Sequence, residues 1–244
     1  RQQGPRHMTG ASRNVDPAEL AKFDSLATRW WDADGDFKPL HEINPLRLGW
    51  IRQHVDLEGC QALDIGCGGG ILAESMAAAK AVVTGIDMAE GPLSVARLHQ
   101  LESGAEVDYQ KLTAEELAET DAGKYDIVTC LEMLEHVPDP SAVIRSCAEL
   151  VRPGGHTFFS TINRNPKSFL FAIVGAEYVL KLLPTGTHEY AKFIRPSELE
   201  NWARQAGLVL VESIGMQYNP LTKVYSLGAD VDVNYLMYFQ RPAD

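Results

Sequence analysis

The sequence is poor in cysteine, and the few cysteines it has are not arranged for disulfides or metal binding. Of its 244 residues 4 are cysteines, at positions 60, 67, 130 and 147, without C-x-x-C spacing and without a recognisable secretory leader. We expect buried thiols in a reducing cytoplasm. None of them is placed as a catalytic nucleophile, because Cys67 lies in a glycine turn and the others lie in apolar segments.

Basic residues are also scarce. The chain has 22 Lys and Arg against 33 Asp and Glu, which gives a formal net charge of −11. Binding to nucleic acid without sequence preference needs a basic surface that displaces counterions from phosphates. Nucleic acid is therefore excluded as an expected partner.

No apolar run is long enough to span a bilayer. The longest lies between Pro166 and Pro184 and includes Lys167, Glu177 and Lys181, whereas a spanning helix needs about 20 largely uncharged residues. We expect this apolar insertion, residues 163–186, to form an interfacial helix that contacts a lipid surface. A helix that packs on the edge of the core is the alternative.

Two phosphate-binding patterns are missing from the glycine-rich run Gly66–Gly70. Its spacing is G-x-G-x-G, not the G-x-G-x-x-G that seats a pyrophosphate on a helix N-terminus. No P-loop lysine follows it, which argues against a nucleoside triphosphate. The pattern therefore favours a ligand without phosphates. The alternative is a dinucleotide, as in an NAD-dependent dehydrogenase.

What is present is a strand, a glycine turn and a second strand that ends in an acid. Asp87 closes the next apolar strand 21 residues after Gly66, where its carboxylate can accept hydrogen bonds from the ribose hydroxyls of an adenine nucleoside. S-adenosylmethionine is such a ligand, with a zwitterionic amino-acid tail in place of a pyrophosphate. Asp64 is placed near the expected position of its ammonium group.

Strands and helices alternate regularly from residue 61, which predicts an α/β fold with a doubly wound, mainly parallel sheet of seven strands. The last two strands follow each other without a helix, so we expect them to form an antiparallel hairpin at the sheet edge. The predicted strands are 61–65, 81–87, 106–110, 125–131, 156–162, 208–216 and 231–239, and the helices between them are 70–79, 91–103, 114–119, 140–150 and 197–206.

The chain divides into three parts. Residues 1–7 look like an expression remnant before Met8. Residues 8–60 are expected to form N-terminal capping helices, which begin at Asp16-Pro17 and Asn44-Pro45, with a loop at 35–43. Residues 61–244 form the nucleoside-binding domain, including the insertion 163–186.

A cluster of polar groups follows the fourth strand. Glu132, Glu135 and His136 stand at i, i+3 and i+4, which would place them on one face of a helical turn. Two carboxylates and an imidazole can hold Mg, Mn or Zn, or can move a proton. A helix cap with a solvated face is the alternative. Because parallel strands end at one edge of a sheet, we expect this cluster to meet Gly66, Asp87 and residues 113–115 there.

These motifs resemble class I S-adenosylmethionine-dependent methyltransferases, and more narrowly the ubiquinone-biosynthesis O-methyltransferases. The similarity covers nearly the whole chain from Val15 onward. The blocks that carry it are Gly66–Gly70, Asp87, Pro153-Gly154-Gly155, Arg29-Trp30-Trp31-Asp32, Phe37-Lys38-Pro39-Leu40-His41, Asn44-Pro45-Leu46-Arg47, Leu134–Pro140, Thr187-His188 and Val231–Tyr235.

The resemblance implies a Rossmann-like fold and two O-methylations, of a polyprenyl catechol and of demethylubiquinol. It implies a cofactor site, and it places the divalent metal site of the eukaryotic members on Glu132, Glu135 and His136. The phenol must lose its proton, so we expect either Glu132 or His136 to act as the catalytic base, or a bound ion to hold the two vicinal oxygens and lower the pKa of one. The predicted cofactor-binding residues are Arg47, Asp64, Gly66, Gly68, Asp87, Met88 and Leu131.

A polyprenyl substrate lies in the bilayer, so we expect a cytoplasmic protein held peripherally at the inner face of the membrane, beside other ubiquinone-synthesis enzymes. Two alternatives share the cofactor site. One is a C-methyltransferase of quinone or lipid biosynthesis, and the other is a non-catalytic cofactor-binding subunit of a quinone-synthesis complex.

Overall fold

The computed structural model describes residues 13–164 and 192–244, and its centre is one eight-stranded sheet. The strand order is β3-β2-β1-β4-β5-β8-β6-β7. The first five strands in this order are parallel, and β8, β6 and β7 continue the sheet in antiparallel fashion. The strands are β1 (Gln61–Ile65), β2 (Val82–Ile86), β3 (Val107–Gln110), β4 (Tyr125–Leu131), β5 (Val151–Ile162), β6 (Val209–Asn219), β7 (Val224–Gly228) and β8 (Asn234–Gln240).

The predicted count of seven strands was wrong by one, because β7 was missed. The strand β7 pairs with β6 alone and forms the sheet edge, while β8 lies between β5 and β6. The edge hairpin is therefore β6–β7, and not the predicted pair of last strands, although β6 and β8 are antiparallel neighbours. No residue of β7 is fully buried, so its apolar pattern is weak.

Helices cover both faces of the sheet. On one face, α5 (Ala114–Asp121), α6 (Pro140–Leu150) and α7 (Pro196–Gln205) pack into one apolar core. On the other face, α2 (Lys38–His54), α3 (Ile71–Ala78) and α4 (Glu90–Ser103) pack into a second core around Trp50 and Phe158. The first helix, α1 (Pro17–Leu26), contacts α4 and leads into a 3₁₀ turn, Ala27–Arg29. The predicted α/β fold with N-terminal capping helices is thus confirmed.

The start of α2 differs from the prediction. The helix begins at Lys38 with Pro39 in its first turn, so much of the predicted loop 35–43 is helical and Pro45 lies inside the helix. Asn44 does not cap a helix. Its amide instead donates to Ser75 Oγ at 2.8 Å and its carbonyl oxygen accepts from Arg47. Both Pro39 and Pro45 suit a helix start, but only Pro39 lies at one. The side chain of Asn44 connects α2 to Ser75 of α3.

Two further expectations need correction. The strand β5 begins at Val151 and carries the predicted Pro153–Gly155 turn as a bulge, since Tyr125 pairs with Val151 but Ile127 pairs with His156. All four cysteines are free thiols, but Cys60 is only partly buried.

Most of the apolar insertion 163–186 lies outside the described residues, so the prediction of an interfacial helix stays a prediction. Within residues 13–164 and 192–244, no helix combines the length and the apolar character that crossing a bilayer requires.

Candidate active site

A deep cavity opens at the carboxyl ends of the parallel strands, where the strand order reverses between β1 and β4. Ligands of open α/β sheets bind at this position. The cavity holds about 1170 Å³ of empty space including its mouth. It brings together most of the predicted site: Arg47, Asp64, Gly66, Gly68, Asp87, Met88, Leu131, Glu132, His136 and residues 113–115. Glu135 does not line it.

The glycine loop leaves β1 in a conformation that its sequence permits. Gly66 has φ +72° and Gly68 has φ +53°, a region that glycine adopts at little cost. A methyl group on Gly66 would also lie 2.5 Å from Met133 Cγ. The N–H groups of Gly66 and Cys67 both donate to the carbonyl oxygen of Ile86, which ties the loop to the end of β2.

Asp87 holds the loop on its other side. Its Oδ2 accepts from the Gly68 N–H at 2.9 Å and its Oδ1 accepts from the Ala89 N–H at 2.8 Å. Burial raises the pKa of this carboxyl, and these backbone donors partly offset the effect. The carboxylate keeps acceptor capacity beyond these backbone donors. Asp87 can therefore receive a pair of vicinal hydroxyl groups.

Asp64 is a second buried acid in the cavity. It is 4% exposed, and Thr129 Oγ1 donates to its Oδ1 at 2.8 Å. Burial raises its pKa to about 7, although the Thr129 hydrogen bond and the Arg47 charge oppose the shift. A cationic ligand group beside Asp64 would favour the ionised form. The position suits an ammonium group.

Arg47 supplies the positive charge of the cavity. Its guanidinium donates through Nη1 to Glu132 Oε2 at 2.5 Å and through Nη2 to Asn44 Oδ1 at 3.2 Å. The Nε–H is buried and finds no hydrogen-bond acceptor among the described residues. A buried donor without an acceptor is costly. This atom therefore fits an anionic ligand group such as a carboxylate.

The segment after β4 does not form the helical turn that the spacing predicted. Only Leu134–His136 is a 3₁₀ turn, and Glu132 has φ +51°, outside helical geometry. The two carboxylates take different partners as a result. Glu132 pairs with Arg47, while Glu135 is buried and accepts from Thr161 Oγ1 at 2.8 Å.

The side-chain directions in this segment also bear on the predicted metal site. Among the described residues, no three or more His, Cys, Asp or Glu side chains are grouped to hold an ion. In this arrangement, Glu132, Glu135 and His136 do not fit a metal site, because Glu132 pairs with Arg47, Glu135 accepts from Thr161, and the three side chains are not grouped around one point.

His136 is held by a residue that the sequence did not point to. Its Nδ1 lies 3.3 Å from Glu19 Oε2, while its Nε2 is 3.8 Å from Glu135 Oε1, beyond hydrogen-bond distance. The hydrogen bond with His136 lowers the pKa of Glu19 to about 2, and the charges of His136, Lys22 and Lys192 add to the effect against the opposing cost of burial. Glu19 is thus a buried carboxylate at the imidazole.

The N-terminal segment forms one wall of the cavity. Asn14 Nδ2 donates to Glu115 Oε1 at 3.0 Å and to the Asp139 carbonyl oxygen at 2.7 Å. The ring of Phe23 meets that of His136 edge to face, with centroids 5.2 Å apart. The sequence predicted a capping helix that begins at Asp16-Pro17, but it gave no signal of which side chains would reach the cavity.

Comparisons with known proteins place these features in context. Residues 17–213 match a family model described as a methyltransferase domain. The chain is 67% identical to "Ubiquinone biosynthesis O-methyltransferase" from Marinobacter nauticus, with 93% of this chain and 96% of that protein covered. It is 66% identical to the protein of the same name from Stutzerimonas stutzeri, with 92% and 97% covered.

A solved structure shares the fold at low sequence identity. It is magnesium protoporphyrin IX methyltransferase from Synechocystis PCC 6803 with bound S-adenosylmethionine, which superposes with a TM-score of 0.63 at 18% identity. The match covers 94% of this chain and 100% of that one. At this identity the match supports the fold assignment alone.

Proposed function

The chain belongs to the family of ubiquinone biosynthesis O-methyltransferases, and on this premise we propose that it transfers the methyl group of S-adenosylmethionine to a phenolic oxygen of ubiquinone precursors. The acceptors are a polyprenyl catechol and demethylubiquinol, so that one site performs both O-methylation steps. The observation that carries the proposal is a single cavity that is lined by the candidate cofactor residues and by His136.

The cofactor residues divide the donor molecule among them. Asp87 accepts the two ribose hydroxyls, and Met88 and Leu131 line the same cavity. Arg47 offers its unpaired Nε–H to the carboxylate of the methionine moiety, because an always-charged planar guanidinium suits that contact. Asp64 faces the ammonium group, and Gly66 and Gly68 let the loop approach the ligand closely.

S-adenosylmethionine supplies a methyl group on a positively charged sulfur, and the acceptor phenol must lose its proton as its oxygen attacks. A phenol has a pKa of about 10 and is mostly neutral at pH 7. A base in the cavity accelerates transfer because it removes the proton as the oxygen attacks. His136 is that base. When Nδ1–H donates to Glu19, the neutral imidazole keeps Nε2 as its proton acceptor.

Glu19 and Glu132 support this chemistry in different ways. The ionised Glu19 fixes the tautomer of His136 and stabilises the imidazolium that forms when the ring takes the proton. Glu132 is paired with Arg47 in the same cavity, so it helps to hold the guanidinium that faces the methyl donor. Once the C–S bond breaks, the sulfur is neutral and the proton rests on His136.

Two observations favour O-methylation over C-methylation: the candidate base in the cavity and the names of the relatives. Attack through oxygen needs a proton acceptor beside a hydroxyl group, which the His136–Glu19 pair provides. The relatives at 66–67% identity carry O-methyltransferase names. A non-catalytic subunit would have no use for a buried carboxylate that orients an imidazole.

The test is a transfer assay with a labelled methyl donor and a short-chain prenyl catechol, followed by NMR of the product. The expected product carries the label on one oxygen, and His136→Ala reduces the rate while S-adenosylhomocysteine, the demethylated product, still binds with nearly wild-type affinity. A label on ring carbon would support the C-methyltransferase alternative. Binding of the donor without any transfer would support the non-catalytic alternative.

The long prenyl tail gives the apolar residues 163–186 a role at the cytoplasmic surface of the membrane, where other enzymes of the same pathway would exchange substrate. Local positive charge at Arg164, Lys167 and Lys181 assists contact with lipid. Flotation of the full chain with anionic and neutral liposomes tests this proposal. We expect co-flotation that Phe169→Asp and Val174→Asp both abolish. Recovery of all three proteins in the soluble fraction would contradict it.

A further inference from the structure

Trp30 packs directly on the glycine loop, Gly66–Gly70, from outside the sheet. Its side chain is 6% exposed, and its ring stacks on Phe37 with centroids 4.0 Å apart and an interplanar angle of 24°. On its other side the indole lies against the backbone of Gly68 and Gly69. Trp30 also lines the cavity itself. The N-terminal segment therefore contributes a wall that touches both the loop and the ligand space.

The atoms nearest to the Cβ position of Gly69 all belong to Trp30. The φ of Gly69 lies outside the left-handed region that Gly66, Gly68 and Gly70 adopt, so its backbone conformation is open to other residues. Gly66 and Gly68 line the cavity, and Gly68 also faces the indole, whereas Gly69 faces the indole without lining the cavity. A methyl group on Gly69 would lie 2.7 Å from Trp30 Nε1 and even nearer to Cγ and Cδ1. The missing side chain makes room for the ring.

Trp31 secures the same loop by a hydrogen bond. Its indole Nε1–H donates to the Gly69 carbonyl oxygen at 2.9 Å. The Trp31 ring stacks on His99 of α4, with centroids 3.4 Å apart and planes 2° from parallel. The Nδ1 of His99 in turn contacts Glu74 Oε2 of α3 at 2.8 Å. The two tryptophans thus hold Gly69 from its Cα side and at its carbonyl oxygen.

We propose that Trp30 and Trp31 are positioning residues for the methyl donor, which hold Gly68 and Gly69 in the conformation that binds it, and that Gly69 is glycine to admit Trp30. The proposal rests on the proposed function for the identity of the ligand. It follows that docking of the N-terminal segment and binding of the donor strengthen each other, since both need the same loop conformation.

A double-mutant cycle in the full chain tests the contact and its effect on the ligand together. The variants are Gly69→Ala, Trp30→Ala and the double variant, with S-adenosylhomocysteine affinity measured by calorimetry and the unfolding midpoint Tm by thermal denaturation. We expect Gly69→Ala to weaken binding about tenfold or more, because the methyl group displaces the ring or the loop. In the Trp30→Ala background the same substitution should have almost no further effect.

A matched control and a milder variant guard against misfolding. Gly49→Ala lies on the exposed side of α2, where a methyl group meets nothing within 4 Å, so it should leave affinity unchanged and raise Tm slightly, because alanine stabilises a helix relative to glycine. Trp31→Phe keeps an aromatic ring for stacking but loses the N–H donor. It should raise KM for the donor severalfold, with kcat and KM for the acceptor nearly unchanged, which a merely structural role would not produce.

The outcomes separate this proposal from the proposed function. Suppose that the wild-type chain binds S-adenosylhomocysteine but that Gly69→Ala and Trp30→Ala have additive effects on affinity. That result would contradict the positioning role and leave the proposed function intact. Wild-type affinity in Gly69→Ala and an unchanged donor KM in Trp31→Phe would contradict the positioning role as well. If the wild-type chain binds no S-adenosylhomocysteine, the proposed function fails, while the Tm cycle still reports whether Trp30 and Gly69 are coupled.

Discussion

The Nδ1 atom of His136 lies 3.3 Å from Oε2 of Glu19, a residue 117 positions earlier in the chain. Both side chains are largely buried, with exposed fractions of 11% and 8%. The contact joins α1 to the turn after β4 and places a carboxylate behind the candidate base. This relationship gives the N-terminal helix a role in the chemistry beyond covering the cavity.

Glu19→Gln should lower kcat while leaving S-adenosylhomocysteine affinity nearly unchanged. The amide no longer stabilises an imidazolium, so we expect a loss of about tenfold to a hundredfold, at the low end of what general-base catalysis contributes. Steady-state kinetics with a prenyl catechol measure it. The exposed Glu119→Gln is the matched control. A wild-type kcat in Glu19→Gln would show that Glu19 does not assist His136.

Glu19 also predicts how stability depends on pH. Its pKa is lowered to about 2 in the folded state, so its stabilising effect is present above the ordinary value near 4.5 and is lost as the pH falls toward 2. Glu19→Gln should therefore lower Tm at pH 6 but much less at pH 3. Equal losses at both pH values would contradict an ionised Glu19.

Asp64 should couple donor binding to proton release. Its pKa is raised to about 7 by burial, and the ligand ammonium favours its ionised form. Affinity for S-adenosylhomocysteine should therefore rise about tenfold between pH 6 and pH 8. Calorimetry in buffers of different ionisation enthalpy should detect proton release near pH 7. Asp64→Asn should bind more weakly and without this pH dependence, and an unchanged pH profile in that variant would contradict the assignment.

In the ligand-free protein, the raised pKa of Asp64 makes folding stability fall, not rise, as the pH increases. The folded state keeps the Asp64 proton to higher pH than the unfolded chain does, so Asp64 reduces stability as the pH rises from about 4 to about 7. Asp64→Asn should remove this decline in Tm. A decline of the same size in both proteins would assign it to other groups.

Arg47→Lys should separate charge from geometry in the cofactor site. Lysine keeps the positive charge but cannot contact Glu132, Asn44 and a ligand carboxylate together. We expect KM for the donor to rise about tenfold or more. Arg52→Lys, on the exposed face of the same helix, should behave like the wild type. An unchanged donor KM in Arg47→Lys would place the carboxylate elsewhere.

The sequence predicted the part of the site that depends on strand ends. Gly66, Asp87 and Leu131 each follow or close a buried parallel strand, and parallel strands end at one edge, so topology alone brings them together. The alternation of apolar strands and helices predicted the fold for the same reason. These features are local, and their arrangement follows from general rules of α/β sheets.

The remaining features depend on tertiary contacts that no local pattern carries. In the sequence, Glu19 is indistinguishable from any other polar residue of an N-terminal helix. Only the packing of α1 places it beside His136. Trp30 reads as a core residue, and only the docked helix shows that it fills the space left by Gly69. The helical spacing of Glu132, Glu135 and His136 suggested a shared face, but the backbone at Glu132 leaves the helical region, and the three side chains are not grouped to hold an ion.

Calorimetric titration of the full chain with S-adenosylhomocysteine and with NAD shows which cofactor the cavity binds. The proteins to compare are the wild type, Asp87→Asn and the exposed control Asp108→Asn. We expect saturable binding of S-adenosylhomocysteine by the wild type and the control, and no binding of NAD. Affinity should be about tenfold to a hundredfold weaker in Asp87→Asn, because a charged acceptor for the ribose hydroxyls is lost. Binding of NAD by the wild type, with no heat from S-adenosylhomocysteine, would contradict the assignment of S-adenosylmethionine as the methyl donor.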